Sequence, residues 1–180
     1  DGGQALSASA KKIISWDIAG GRRERFLWGH SDIVNVVKYS PDGKFAISAS
    51  GSSDGVVDIS LRLWNTITGR EIRRFTGHTS GVDAVAFSPD AKLVLSSAHG
   101  KSDNTVRLWD VVTGKETKKI LDSRGGLIAF SKNGESVVIN RYEMEPNSYY
   151  VSTHYDVFET TTWEKKRTIS GLRGANATLS

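Results

Sequence analysis

GHTSGVDAVAFSPDAKLVLSSAHGKSDNTVRLWD, residues 77–110, is the stretch that decides the fold. It holds three short apolar runs, each bounded by turn residues. In residues 82–87 and 105–109, apolar residues alternate with polar or small ones at period two, the pattern of half-buried strands. Glycine, proline and aspartate mark the breaks. The same order of residue types recurs outward in both directions. Trp16-Asp17, Trp64-Asn65 and Trp109-Asp110 lie 48 and 45 residues apart, and Gly29-His30 precedes Gly77-His78 by 48. Phe158-Glu159 follows Trp109-Asp110 by 49 residues in the same context. One turn is written three times, as YSPDGK (39–44), FSPDAK (87–92) and FSKNGE (130–135). Another is written twice, as LWNTITGR (63–70) and LWDVVTGK (108–115). A period of this length marks a repeat architecture.

A Gly-His pair, a Ser-Pro-Asp-Gly turn and a closing Trp-Asp, in that order and spacing, resemble the WD40-repeat family over nearly the whole chain. The resemblance implies an all-β fold, a β-propeller with four antiparallel strands in each blade. It divides the chain into a partial blade at 1–28, blades at 29–76 and 77–121, a degenerate blade at 122–170, and the start of another at 171–180. The first blade lacks its innermost strand. Some three and a half blades are fewer than the ~4–8 that close a propeller. The expectation is therefore an incomplete propeller, a fragment of a longer repeat protein that would need the rest of the ring to close.

Composition narrows the function classes. Hydrophobic residues make up 38% and charged residues 24% of the 180, an ordinary balance for a folded chain. Eighteen glycines suit many tight turns. The absence of cysteine excludes disulfides, thiol nucleophiles and thiolate metal sites together. It fits a reducing compartment, and a cytoplasmic location is expected. No apolar run is long enough to span a membrane, and no secretory leader is visible at Asp1. The net charge of +4 permits attraction to anions without requiring a nucleic acid partner.

His30, Ser48, Asp58 and Trp64 form one set of marked residues, and His78, Ser96, Asp103 and Trp109 form a second. Serine, histidine and aspartate together invite a hydrolase reading. The resemblance implies instead a structural tetrad tying one blade's loops together, and a set that occurs twice in one chain is a building part. No Gly-x-Ser-x-Gly elbow, Walker sequence or dinucleotide fingerprint is present. The tetrad decays at both ends. Ala10 replaces the aspartate in the first blade, and Ser123, Ser152 and Phe158 replace the histidine, aspartate and tryptophan in the fourth. His154 and Asp156 lie two apart on a strand without further ligands at metal-binding spacing, so no metal and no cofactor are expected.

The chain reads as a non-catalytic scaffold that binds a protein or peptide through the loop-rich face of the propeller. Turns at 51–57, 98–102 and 142–148 are enlarged, and insertions gathered on one face of a repeat array often form its binding face. Candidate contact residues there are Asp32, Asp54, Ser80, His99, Lys101, Tyr142, Glu143 and Met144. The alternative is an anionic polymer, nucleic acid or membrane, held by a basic rim: Arg22, Arg23, Arg25, Arg70, Arg73, Arg74, Lys115, Lys118, Lys119, Lys165, Lys166 and Arg167. Charge on an edge strand also discourages edge-to-edge pairing. Bases would want aromatic stacking partners, and Trp28, Phe75 and Trp163 can as easily pack between blades, so nucleic acid is not the expected partner. A propeller hydrolase or lyase is the remaining alternative. It would need acids and histidines left over after the tetrads are assigned.

Overall fold

A computed structural model describes residues 3–52, 58–98, 100, 102–121, 127–144 and 151–170. Among these residues there is no helix. The first sheet contains β1 (Gln4–Ser9), β2 (Lys12–Asp17) and β3 (Arg22–Trp28). The second runs β4 (Val34–Tyr39), β5 (Phe45–Ser50), β6 (Leu61–Asn65), β7 (Glu71–Phe75). The third runs β8 (Val82–Phe87), β9 (Leu93–Ala98), β10 (Thr105–Asp110), β11 (Glu116–Leu121). The fourth runs β12 (Ile128–Phe130), β13 (Ser136–Met144), β14 (Val151–Glu159), β15 (Lys165–Ile169). Each sheet is an antiparallel meander in chain order. Neighbouring sheets approach along their first strands, β4 beside β8 and β8 beside β12. They stand as separate propeller blades and do not close into a barrel.

Local chemistry sets the turns. In the turn between β4 and β5, the Ser40 hydroxyl donates to Asp42 and accepts the Phe45 N–H at 3.0 Å, and Asp42 accepts the Lys44 N–H. Ser88 with Asp90 and Ser131 with Asn133 repeat this. The fourth turn residue is left-handed, with φ of 70° at Gly43, 58° at Ala91 and 74° at Gly134. A register shift also recurs before each closing aromatic, at Ser15/Trp16, Leu63/Trp64, Leu108/Trp109 and Val157/Phe158.

The core lies between sheets. Ile13 and Leu27 of the first sheet pack with Val34, Ala46 and Trp64 of the second. Leu61, Leu63 and Phe75 pack with Val94 and Trp109 of the third, where the Phe75 and Trp109 rings meet edge to face at 5.9 Å. Leu95, Val106 and Leu108 pack with Val137 and Ile139 of the fourth. Polar clamps supplement this packing. Arg25 of β3 donates to the Ile67 carbonyl, and Arg73 of β7 donates to the Thr113 carbonyl at 3.0 Å. Each clamp joins an outer strand to the next sheet's last turn.

Candidate functional site

Two ends of the sheet stack are distinguished by their turns. At one end, the loop entering a sheet meets the turn between its second and third strands. Thr79 Oγ1 donates to the Ser102 carbonyl, and Ser102 Oγ returns a bond to the Thr79 carbonyl. At the other end, Thr66 donates to the Gly43 carbonyl and Thr160 to the Gly134 carbonyl. The two serine–histidine–aspartate sets lie at the first end.

His30 places Nδ1 3.0 Å from Asp58 Oδ2 and Nε2 2.7 Å from Ser48 Oγ. His78 places Nδ1 2.8 Å from Asp103 Oδ2 and Nε2 2.7 Å from Ser96 Oγ. An ionised carboxylate only accepts, so Nδ1 of each ring carries the proton and Nε2 accepts the serine O–H. Each serine oxygen also accepts an indole N–H, from Trp64 or Trp109, at 2.8 Å. Connectivity alone matches a hydrolase triad. Access does not, because Ser48 and Ser96 are 0% exposed and their oxygens are already engaged.

The networks extend beyond the residues marked by sequence. Arg62 donates to Asp58 at 2.9 Å and to Glu71 at 2.7 Å. Arg107 donates to Glu116 at 2.7 Å and to the Thr105 hydroxyl, and lies 3.5 Å from Asp103. Ser60 and Thr105 donate to the aspartates from two residues downstream. The Ser31 and Thr79 backbone N–H groups donate to them as well. The recurrence of arginine two residues before each tryptophan and glutamate seven after is the signal that could have revealed this extension. It also explains the glycine before each histidine. A Cβ on Gly29 would sit 2.5 Å from Arg62 Nη1 and 2.8 Å from the Trp64 ring.

Burial acts to raise the Asp58 carboxyl. The hydrogen bonds from Ser60, the Ser31 N–H and His30 outweigh it and bring the group to about 2. Burial likewise opposes ionisation of Asp103, yet the bonds from His78, Thr105 and the Thr79 N–H hold it well below its ordinary value. Both histidines are lowered from 6.5, chiefly by burial, against the raising effect of their aspartates.

The fourth sheet departs from this chemistry. Phe158 occupies the tryptophan's register, and Asp156 and Lys165 stand where the others have arginine and glutamate. The ion pair survives with its signs reversed, Lys165 Nζ lying 3.7 Å from Asp156. Thr168 donates to the same carboxylate. His154 lies 3.0 Å from Ser152 Oγ and 2.9 Å from Ser170 Oγ. Among the described residues, no group of three or more histidines and acids is arranged to hold a metal. In the first sheet, Trp16 donates to Ser7 at 2.8 Å with Ala10 at the aspartate's position.

The partner-facing candidates divide. Asp32 is half-buried and accepts the Ile33 N–H. Ser80 is not on the surface: it is 4% exposed beneath the turn, where a Cβ on Gly100 would collide with its hydroxyl. Tyr142, Glu143 and Met144 do not lie in a turn but extend β13, opposite Thr153, Ser152 and Val151. Tyr142 stands opposite β-branched Thr153, a cross-strand combination that favours continued pairing. Tyr142 remains 42% exposed. Asp54, His99 and Lys101 lie outside the described residues, as does Ser123. Two exposed apolar residues also lie at this end: Ile33 at 52% and Trp28 at 60%.

The rim is less uniformly free than its charge suggests. Besides the Arg25 and Arg73 clamps, Arg74 pairs with Glu71 at 3.5 Å, Lys166 with Glu159 at 3.1 Å, and Arg22 with Asp17 at 3.3 Å. Phe75 is 1% exposed, and Trp163 packs against the core between the third and fourth sheets. No helix among the described residues is long and apolar enough to cross a membrane.

Comparison with known proteins agrees with this geometry. A family model for the WD domain, G-beta repeat, matches residues 21–65 and 69–110. No curated protein matches the chain. Among solved structures, Kuenenia stuttgartiensis hydrazine synthase is similar, with 18% identity and a TM-score of 0.74 over 89% of this chain and 49% of that one. The chain thus spans about half the length of that structure, and the likeness is one of fold. The fold is widely shared, with 1027 chains of solved structures matching, so it singles out no activity. With two repeats matched in sequence and four antiparallel blades in the structure, the chain belongs to the WD40-repeat family.

Proposed function

We propose that the protein is a non-catalytic platform that binds a protein or peptide at the end of the stack carrying the His30 and His78 networks. WD40 repeats generally act as protein-interaction scaffolds. The observation that carries the proposal is the burial of both serine–histidine–aspartate sets, whose oxygens and ring nitrogens are all engaged within the blades. Such sets fasten loops, and the functional surface is what they hold in place. Ile33 and Tyr142 offer apolar and aromatic anchors there, and Asp32 adds a polar neighbour.

Selection of a displayed random-peptide library against the chain tests this. Peptides enriched on the protein should lose binding to Ile33→Asp and Tyr142→Ala while both variants melt like the parent. Enriched peptides that bind both variants unchanged, but lose Ile67→Asp at the opposite end, would refute the choice of face.

A further inference from the structure

The fourth sheet differs from the second and third in the length of its middle hairpin. β5 ends at Ser50 opposite Val34, and β9 at Ala98 opposite Val82, so in both sheets the first strand covers the second to its end. In the fourth sheet β12 covers β13 only from Val137 to Ile139, and β13 runs on to Met144. Asn140 closes the pairing. Its N–H donates to the Leu127 carbonyl at 3.0 Å, and its side-chain Oδ1 accepts the Leu127 N–H at 2.7 Å. Beyond it, Tyr142, Glu143 and Met144 pair with Thr153, Ser152 and Val151 of β14. Backbone groups alternate sides along a strand. The Ser136 carbonyl and the Asn140 N–H both point to the β12 side, where they bond to Ser131 and Leu127. Tyr142 and Met144 share their parity, so the N–H and C=O groups of both point the same way. Among the described residues nothing bonds to these groups.

We propose that this edge of β13 takes up an extended peptide as an added strand. It rests on the peptide-binding function and adds how the peptide is held. An unpaired strand edge is a template for another chain. The outer strands, whose edges are also open, carry cations that oppose such pairing, Arg73 and Arg74 on β7 and Lys118 and Lys119 on β11. The stretch Tyr142–Met144 holds no lysine, arginine or proline. Its open edge lies on the side of the first strands, along which neighbouring sheets approach. Blades pack through their faces, as Leu95 and Val106 do against Val137, so a further blade beside the fourth sheet would cover a face and leave this edge open. The hairpin's opposite edge is differently occupied, with His154 3.0 Å from Ser152 Oγ and 2.9 Å from Ser170 Oγ. Tyr142, 42% exposed, offers a cross-strand contact to a β-branched or aromatic side chain. The occupant is therefore a short extended segment with such a residue opposite Tyr142, and without proline where its N–H must donate.

Fluorescence anisotropy with fluorescein-labelled synthetic copies of the peptides enriched from the displayed library tests this on the full chain. Each peptide is made again with a single backbone N-methyl group at successive positions. An added strand turns alternate N–H groups toward its neighbour. N-methylation should therefore weaken binding roughly tenfold at every second position of the bound segment, and little between them. This scan needs no variant of the protein. On the protein side, Met144→Pro removes a donor that points to the open edge and leaves the bonds between β13 and β14 intact, a place where a strand tolerates proline. It should melt like the parent and bind about tenfold more weakly, whereas Met144→Ala, which keeps the N–H, should bind like the parent. Peptides that lose binding to Ile33→Asp but tolerate N-methylation at every position overturn the added strand and leave the peptide-binding function standing. Unchanged affinity in a folded Met144→Pro does the same. Enrichment of no peptide at all overturns both.

Discussion

At the scale of single residues, His30 and His78 are the groups on which the loop-bearing end depends. Each ring is neutral, with its proton on Nδ1 toward an aspartate and its bare Nε2 toward a serine O–H. A second proton would turn Nε2 from acceptor into donor and take from the buried serine O–H the acceptor it has there. Burial lowers both rings from 6.5, so the unfolded chain takes up these protons at a higher pH than the folded one. The stabilisation is therefore complete above about pH 6.5 and is lost as pH falls through the folded values. The aspartates add stability that persists to lower pH, since Asp58 sits near 2 and ionises in the unfolded chain near 3.8. Melting followed by circular dichroism should show a plateau above about pH 7 and a decline beginning near pH 6.5. His78→Gln should melt lower throughout and decline less steeply between about pH 7 and 5. An equal slope in that variant would place the acid sensitivity elsewhere.

At the scale of elements, the turns between first and second strands show a residue out of step with its backbone. Gly43 and Gly134 meet the left-handed conformation at no steric cost, but Ala91 adopts φ of 58° at the same place. Ala91→Gly should stabilise the chain by about 0.5–1 kcal/mol, the relief of that strain less the glycine's extra unfolded-state entropy. The melting temperature should then rise by about 2 °C, and a fall would show that the turn accommodates alanine without strain. Most of these elements were legible beforehand. Repeated Ser-Pro-Asp-Gly and Thr-Gly-Lys/Arg turns fixed where the strands begin, because turn chemistry is local. The extension of β13 through Tyr142–Met144 was not legible, since pairing with Val151–Thr153 depends on a partner strand across a long connection. Nor was the buried role of Arg62 and Arg107. Arginine in an alternating strand reads as solvent-facing until its carboxylates, Glu71 and Glu116 on the neighbouring strands, are seen to meet it.

At the scale of the whole molecule, stability in a repeat array is a sum of blade terms and nearest-neighbour interfaces. The second and third sheets each combine a complete buried network with sheets on both sides. The first sheet has a neighbour on one face and leaves Trp16, Phe26 and Trp28 on the other, while the fourth replaces the tryptophan–serine link with Phe158 and Ile139. That asymmetry predicts a gradient of local opening, because amides are protected in proportion to the buried contacts that must break to expose them. In hydrogen exchange read by mass spectrometry, peptides covering β5, β6, β9 and β10 should exchange slowest and at one common rate. Those covering β1–β3 should exchange faster, by roughly tenfold for each 1.4 kcal/mol by which the end sheet opens more easily. Protection of β1–β3 equal to that of β9 and β10 would mean that the array opens as one unit, and the division into strong central and weaker terminal blades would fail.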